Sequence, residues 1–173
     1  YARAAGYPDP TLIFGQIAQC LALVEHGRAE AAVLPAENLV DGLIGQTFDA
    51  LLDTQPSMQV FEEVCLPIVH VLAAREIPPA FGLLKVYSHS SALNQCARNL
   101  AALAPRAQLI PVGSTAEAAG LVARNAQDGS AAVCSEDAAK NLNLQIVSRD
   151  INDYPGNQTR FLVCGRRPAL PTG

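Results

Sequence analysis

Four consecutive polar residues, Asn157 to Arg160, stand where a turn meets an apolar segment near the end of the chain. The turn signal is Tyr154-Pro155-Gly156, and the apolar run that follows, residues 161–164, has the composition of a buried strand. A turn needs only one or two hydrogen-bonding side chains. The crowding of amides, a hydroxyl and a guanidinium at the mouth of a strand therefore indicates a site for a polar ligand.

Hydroxyl residues mark three further junctions, "YSHSSAL", "GSTAEAA" and "CSEDAA", each where a predicted strand ends and a helix begins. One interpretation is helix capping alone, which we favour for Ser135; Ser114 also has the spacing of a capping box with Glu117. The other is anion binding, because helix N-termini offer free N–H groups and open α/β sheets bind ligands at strand ends. Ser88 and Thr115 are the better candidates for that role.

An asparagine and two histidines are further candidates for functional-site residues. Asn38 follows a buried strand in "LPAENLVDG", where it serves either as a turn residue or as a partner for a ligand oxygen. His70 lies in the apolar run "PIVHVL", which favours a satisfied core residue over a base, and His89 at a helix start is more available. Neither histidine has a partner at metal-ligand or triad spacing, and no glycine-rich phosphate loop occurs. The sequence predicts no cofactor and no metal.

The elements that must position these residues follow an α/β order. Apolar residues at helical spacing predict a helix over 13–26 that Gly27 closes, followed by a buried strand and a second helix. Strand, hydroxyl residue and helix then recur between residues 85 and 143.

A proline-rich segment, residues 75–82, and the turn at Pro155 bracket this series, which predicts an inserted lobe. We expect an α/β fold of two lobes with a cleft between them. Residues 1–75 plus 158–173 form the first lobe and residues 76–157 the second.

Composition narrows the class of protein. Of 173 residues, 50% are hydrophobic and 16% charged, which is typical of a globular chain with a sizeable core. The net charge of -4 argues against a nucleic-acid partner, and no apolar stretch approaches the ~18 residues of a membrane span. Five dispersed cysteines indicate reduced, mostly buried thiols in a cytosolic protein.

Taken in order, the motifs resemble those of the prephenate dehydratase family. "VLPAENLVDG" is similar to the family's P-I-E-N-S-x-x-G, "LPIVHVLAA" to its L-x-I-x-H-x-L-L, and "VYSHSSALNQC" to its V-x-S-H-P-Q-A-L-x-Q-C. "GSTAEAA" resembles its serine or threonine junction, and "INDYPGNQTRFLV" its highly specific I-x-D-x-x-x-N-x-T-R-F signature. The resemblance covers about residues 27 to 166.

The resemblance implies a two-lobed fold like that of type II periplasmic binding proteins, assembled as a cytoplasmic homodimer or homotetramer. It implies a lyase that converts prephenate to phenylpyruvate, water and carbon dioxide in phenylalanine biosynthesis, with the substrate between the lobes and no cofactor. Motif positions tied to the active site fall on Asn38, Ser88, Gln95, Thr159 and Arg160, and less strictly on Ser114 and Thr115.

Within this set the resemblance makes Thr159 the essential residue, as hydrogen-bond donor to the departing hydroxyl. Arg160 is expected either to hold a substrate carboxylate or to polarise Thr159. The residues expected to orient the substrate are Asn38, Ser88 and Gln95. Asn157 is expected only to shape the loop.

The sequence departs from the family pattern in several places. Leu39 replaces the serine of the E-N-S motif, and Ser90-Ser91 replace the Pro-Gln of the V-x-S-H-P-Q motif. The family's first strand, with G-P-x-G-T-x-S, has no match before Thr11, and the regulatory ACT domain that commonly follows has no match in these residues.

Four alternatives stay open: an arogenate dehydratase, a prephenate decarboxylase, a hydrolase of a small ester or amide, and a non-catalytic small-acid binding protein. Retention of Thr159-Arg160-Phe161 argues against the decarboxylase, whose product keeps the hydroxyl.

Overall fold

A computed structural model describes residues 11–54, 58–77, 82–124 and 129–166. In chain order the elements are α1 (Ile17–Glu25), β1 (Ala31–Asn38), β2 (Gly42–Leu43), α2 (Gly45–Leu52), β3 (Met58–Pro67), β4 (Val71–Ala74), β5 (Lys85–Ser88), α3 (Ser90–Gln95), α4 (Ala97–Leu103), β6 (Gln108–Pro111), α5 (Thr115–Arg124), β7 (Ser130–Cys134), α6 (Glu136–Asn141), β8 (Gln145–Ser148) and β9 (Gln158–Arg166). The predicted α/β class is confirmed, with two sheets. Among the helices so described, none is long and apolar enough to cross a membrane.

The described residues divide into two compact units. The first contains those up to Pro67 together with those from Gln158 onward, and the second is Ile68–Asn157. The sequence led us to expect the change of lobe after residue 75. It lies earlier because β4 pairs with β7 and β8, so its hydrogen bonds belong to the second sheet.

The first unit is a four-stranded sheet in the order β2-β1-β9-β3. β9 runs antiparallel to both β1 and β3. Helices α1 and α2 cover one face, where Leu21, Val24 and Leu34 pack with Leu162. Helix α1 begins at Ile17, four residues later than predicted, and Gly27 follows its end with a φ of 68°, the left-handed conformation usual for a glycine after a helix.

The second unit is a five-stranded sheet in the order β6-β5-β7-β4-β8. β5 pairs in parallel with β6 and β7, whereas β4 is antiparallel to β7 and β8. Alternate residues of β4 enter different cores: Leu72 packs with Leu100 of α4, and Val71 packs with Val122 of α5. Helices therefore cover both faces of this sheet, which explains why β7 is buried at every position.

One predicted helix is divided. The segment after β5 forms α3 and α4, which meet at Cys96, a fully buried residue with a φ of -118°. The backbone N–H groups of Arg98 and Asn99 donate to the carboxylate of Asp153, at 2.9 and 3.0 Å. Because this carboxylate comes from a distant part of the chain, the new helix start had no local signal in the sequence.

Candidate active site

Asn38 and Thr159 are cross-strand partners in the first unit, at the end of β1 and the start of β9. Nδ2 of Asn38 donates to Oγ1 of Thr159 at 3.0 Å, and both residues are 7% exposed. Oδ1 of Asn38 accepts from the backbone N–H groups of Val40 and Asp41, at 2.9 and 3.1 Å. These two bonds fix the oxygen of the amide, so its NH2 group is the side that faces Thr159.

The hydroxyl of Thr159 is prepared as a donor by this contact. Its oxygen accepts from Asn38, so its own proton must point elsewhere, and within the described part of the chain that proton has no acceptor. A hydroxyl that accepts a hydrogen bond donates a stronger one, since successive bonds polarise one another. Thr159 can therefore donate to an oxygen of a bound molecule.

A β-bulge in β1 creates the pairing of Asn38 with Thr159. The register shifts between Pro35, opposite Phe161, and Glu37, opposite Arg160. In a regular ladder Glu37 would lie opposite Thr159 instead. The bulge therefore decides that an amide, and not a carboxylate, contacts the hydroxyl.

Arg160 lies on the other face of the sheet from Thr159, because successive residues of a strand alternate. Its Nη2 is 2.9 Å from Oε2 of Glu37, and its Nη1 is 3.1 Å from Oε1 of Glu63. The hydrogen bond with Glu63, followed by that with Glu37, raises the pKa of Arg160. The guanidinium thus connects β9 with both neighbouring strands, and the structure does not bring it to Thr159.

Ser88 uses its hydroxyl inside the second unit. The residue is fully buried, and Oγ donates to the backbone oxygen of Val133 at 2.7 Å, which links β5 to β7. The role in substrate binding that the motif implied is untested, but in this structure the proton of Ser88 has an internal acceptor.

The other junctions act as helix caps. Oγ of Ser135 accepts from the N–H of Ala138 at 3.2 Å, which confirms the capping interpretation. Oγ of Ser114 accepts from the N–H of Glu117 at 3.0 Å. Oε2 of Glu117 accepts from the N–H of Gly113 at 3.0 Å, one residue before the position expected for a capping box. Thr115 is the half-buried first residue of α5.

Gln95 is the centre of a buried polar cluster in the second unit. Its Oε1 accepts from Nδ2 of Asn157 at 3.0 Å and lies 3.3 Å from Nε2 of His70. Its Nε2 donates to Oγ of Ser91 at 3.1 Å. Asn157, expected only to shape the loop, thus contacts a predicted site residue. His89 lies outside the cluster, where its Nδ1 accepts from the N–H of Ser91.

His70 is buried as the sequence predicted but is not fully satisfied. Since Oε1 of Gln95 can only accept, Nε2 of His70 carries the proton, and Nδ1 has only a lone pair. Burial lowers the pKa of His70, and the hydrogen bond with Gln95 partly opposes this. Within the described ranges, Nδ1 of His70 and Oδ1 of Asn157 are buried without a hydrogen-bond partner. Each such atom costs about 1–3 kcal/mol of stability.

Sequence reasoning missed the ion pairs of Arg160 and the bond from Asn157 to Gln95. Glu63 carries no motif signal, and its contact depends on a second bulge, between Val60 and Glu62 of β3. For Asn157 the available signal was its place beside Thr159, within the same polar stretch.

The family model described as prephenate dehydratase matches residues 7–169. A bifunctional chorismate mutase/prephenate dehydratase of Neisseria gonorrhoeae is 38% identical over 168 residues, which cover 97% of this chain and 46% of that protein. Arogenate dehydratase 5, chloroplastic, of Arabidopsis thaliana is 36% identical, covering 99% of this chain and 41% of that protein.

The solved structure of prephenate dehydratase from Arthrobacter aurescens, in complex with L-Phe, has a TM-score of 0.86 at 30% identity. The alignment covers 99% of this chain and 57% of that one. The chain therefore has the fold of that structure and spans less than half the length of the two curated relatives.

Proposed function

Because this chain belongs to the prephenate dehydratase family, we propose that it converts prephenate to phenylpyruvate, water and carbon dioxide. An enzyme with this activity is a carbon–oxygen lyase of aromatic amino acid biosynthesis. The observation that carries the proposal is the hydrogen bond from Asn38 to the oxygen of Thr159, which leaves the hydroxyl proton of a buried threonine without an acceptor among the described residues.

The reaction requires one strong hydrogen-bond donor at the departing oxygen. As the ring carboxylate leaves as carbon dioxide, the electrons of the broken C–C bond enter the ring, and the C–O bond to the ring hydroxyl breaks. Aromatisation supplies the driving force, and the departing oxygen must be stabilised by a donor or take up a proton to become water. We assign this donor role to Thr159, and the role of orienting and polarising it to Asn38.

Arg160 takes a positioning role in this proposal. Its two carboxylate partners occupy both ends of the guanidinium, on the face of the sheet away from Thr159. We infer that it holds β9 between β1 and β3 and so fixes the place of Thr159. Contact of the substrate with Ser88, Gln95, Ser114 and Thr115 stays a prediction, as do the homo-oligomer and the cytoplasmic location.

The activity is tested by incubating the full-length protein with prephenate and identifying products by ultraviolet absorbance and mass. We expect phenylpyruvate. A product that keeps the hydroxyl would indicate decarboxylation, and unchanged prephenate would overturn the proposal. Arogenate is assayed in parallel, because the similarity to an arogenate dehydratase favours it as the second candidate substrate; its product would be phenylalanine.

The assignment of Thr159 is tested with two substitutions. Thr159→Val removes the hydroxyl and should lower kcat by at least about a hundredfold, whereas Thr159→Ser keeps it and should retain much of the activity. Thr54→Val is the matched control, since Thr54 bonds only locally, to the backbone oxygen of Leu51. Near-normal turnover by Thr159→Val would show that another group serves the departing oxygen.

A further inference from the structure

The amide of Gln95 is held in one orientation by two donors. Nδ2 of Asn157 and Nε2 of His70 both contact its Oε1, and all three residues are at least nine-tenths buried. With Nε2 of His70 protonated and Nδ2 of Asn157 donating, a reversed Gln95 amide would turn its NH2 group toward two other N–H groups. The cluster therefore selects the orientation in which the NH2 side is turned away from His70 and Asn157, toward Ser91.

We infer that His70 and Asn157 are positioning residues that orient Gln95 as a hydrogen-bond donor to an oxygen of the substrate. This inference rests on the proposed function, in which Gln95 is a predicted substrate contact. A carboxylate or keto oxygen, both present in prephenate, is the acceptor that such a donor recognises.

Local structure does not need either side chain. The backbone N–H of His70 donates to Oδ1 of Asn152 at 2.7 Å, and the backbone oxygen of Asn157 accepts from the N–H of Ile68 at 2.8 Å. Nδ2 of Asn152 also donates to the backbone oxygen of Ile68. The main chain around both residues is thus held by other groups, and the ring and the amide are left to act on Gln95.

The unpaired acceptors support the same conclusion. Nδ1 of His70 and Oδ1 of Asn157 are buried without partners in the described part of the chain. Apolar side chains of similar size would avoid both unpaired atoms but would leave Oε1 of Gln95 without a donor. The paired atoms of the two residues, Nε2 and Nδ2, both point at Oε1 of Gln95.

A double-mutant cycle on the full-length protein tests the inference. His70→Phe removes the donor while keeping a ring, and Asn157→Asp replaces the donating NH2 by an oxygen of the same shape. Each should lower kcat/KM for prephenate by about tenfold to a hundredfold without lowering Tm in proportion. In a Gln95→Ala background the same substitutions should have little further effect, because they act through Gln95.

Two variants serve as controls. His70→Gln keeps an N–H donor near the position of Nε2 and should recover activity to within a few-fold of the wild type. His26→Phe makes the same replacement at an exposed position after α1, in the first unit, and should leave kcat/KM unchanged. Additive losses in the Gln95→Ala background would overturn the inference.

A readout without substrate separates this inference from the proposed function. The side-chain amide protons of Gln95, followed by 15N NMR, should be sharp and slow to exchange in the wild type, and broadened in His70→Phe and Asn157→Asp. Absence of phenylpyruvate from the wild type would refute the proposed function alone. Unchanged Gln95 signals in both variants would refute the positioning role, whatever the substrate.

Discussion

The donor role proposed for Thr159 depends on neighbouring atoms more than on its own side chain. A threonine hydroxyl is a weak acid, and on a solvated strand it would exchange its proton among water molecules. Here the side chain is buried and its oxygen accepts from Asn38, whose amide is in turn fixed by two backbone N–H groups. The direction of the proton is therefore set by a chain of three hydrogen bonds.

Replacing Asn38 by aspartate tests this series of hydrogen bonds. Asn38→Asp keeps an oxygen for the N–H groups of Val40 and Asp41 but places an acceptor where the donor to Thr159 stood. The Thr159 proton should then turn to the carboxylate, and kcat should fall by at least about tenfold. Steady-state kinetics on prephenate measures the effect, with the exposed Asn143→Asp as the matched control. A kcat equal to that of the wild type would contradict the polarising role.

Motif reasoning identifies the candidate site residues better than it identifies the residues that contact and orient them. Asn38, Gln95 and Thr159 stand in recognisable strings, so the sequence alone placed them in the candidate site. Glu63 and the bond between Asn157 and Gln95 depend on strand register and side-chain direction across 62 residues or more of chain. No local pattern encodes those distances.

The segment from Ile151 to Asn157 contacts helix α4 and leads into β9. Asp153 accepts from the N–H groups of Arg98 and Asn99, and its own N–H donates to the backbone oxygen of Gln95 at 2.7 Å. The guanidinium of Arg98 lies over the ring of Tyr154, 5.2 Å from its centre. One carboxylate thus caps α4 and anchors the segment that carries Asn157.

Removal of the Asp153 side chain, which caps α4, should destabilise the protein more than removal of a helix cap that makes a single hydrogen bond. We expect Asp153→Ala to lower the free energy of unfolding by about 1–2 kcal/mol, because two N–H groups lose their acceptor. Ser135→Ala removes a single exposed cap bond on α6 and should cost about 0.5 kcal/mol. Urea unfolding measures both, and Asp153→Asn should recover part of the loss. Equal costs for the two alanine variants would contradict the anchoring role.

The periodicity of apolar residues predicted most helices and strands, but it did not predict which strands pair with one another. The strand–helix repeats after residue 85 are present as predicted. The position of β4 in the second sheet could not be predicted, since its four apolar residues fit either sheet equally well. Its place is decided by pairing with β7, a strand that lies about sixty residues later in the chain.

The described residues form three apolar cores, one in the first unit and two in the second, and three of the five thiols are buried. Burial raises the pKa of Cys96 to about 12 and those of Cys134 and Cys164 to about 11. Cys65 is exposed and Cys20 is half-buried, and all five are free. The predicted burial is therefore confirmed for three of the five thiols.

Thiol labelling should separate these classes. With a disulfide reagent at pH 8, Cys65 should react first and Cys20 more slowly, because only the accessible thiolate attacks. Cys96, Cys134 and Cys164 should react only after denaturant is added. Cys65→Ser should remove the fast phase, and rapid labelling of all five thiols in the native protein would contradict the burial described above.

The stability of the molecule should also depend on the protonation of His70. Because burial lowers its pKa in the folded state, the unfolded chain binds more protons than the folded one below the ordinary value of 6.5. The free energy of unfolding should therefore fall as the pH is lowered from 6.5. Urea unfolding of His70→Phe over the same range should show a weaker decline, and an identical pH profile would contradict this assignment.

The bulge between Pro35 and Glu37 has a consequence for folding. Without the bulge, β1 would pair with β9 in the regular register. The pairing would then be shifted by one residue only after Pro35, with Glu37 opposite Thr159 and Asn38 opposite Gln158. Such a chain would keep its helices and sheets but would place a carboxylate beside the hydroxyl and, under the proposed role of Thr159, would lose activity. The specific activity of a preparation then measures the fraction of molecules with the correct register, a heterogeneity that circular dichroism does not detect.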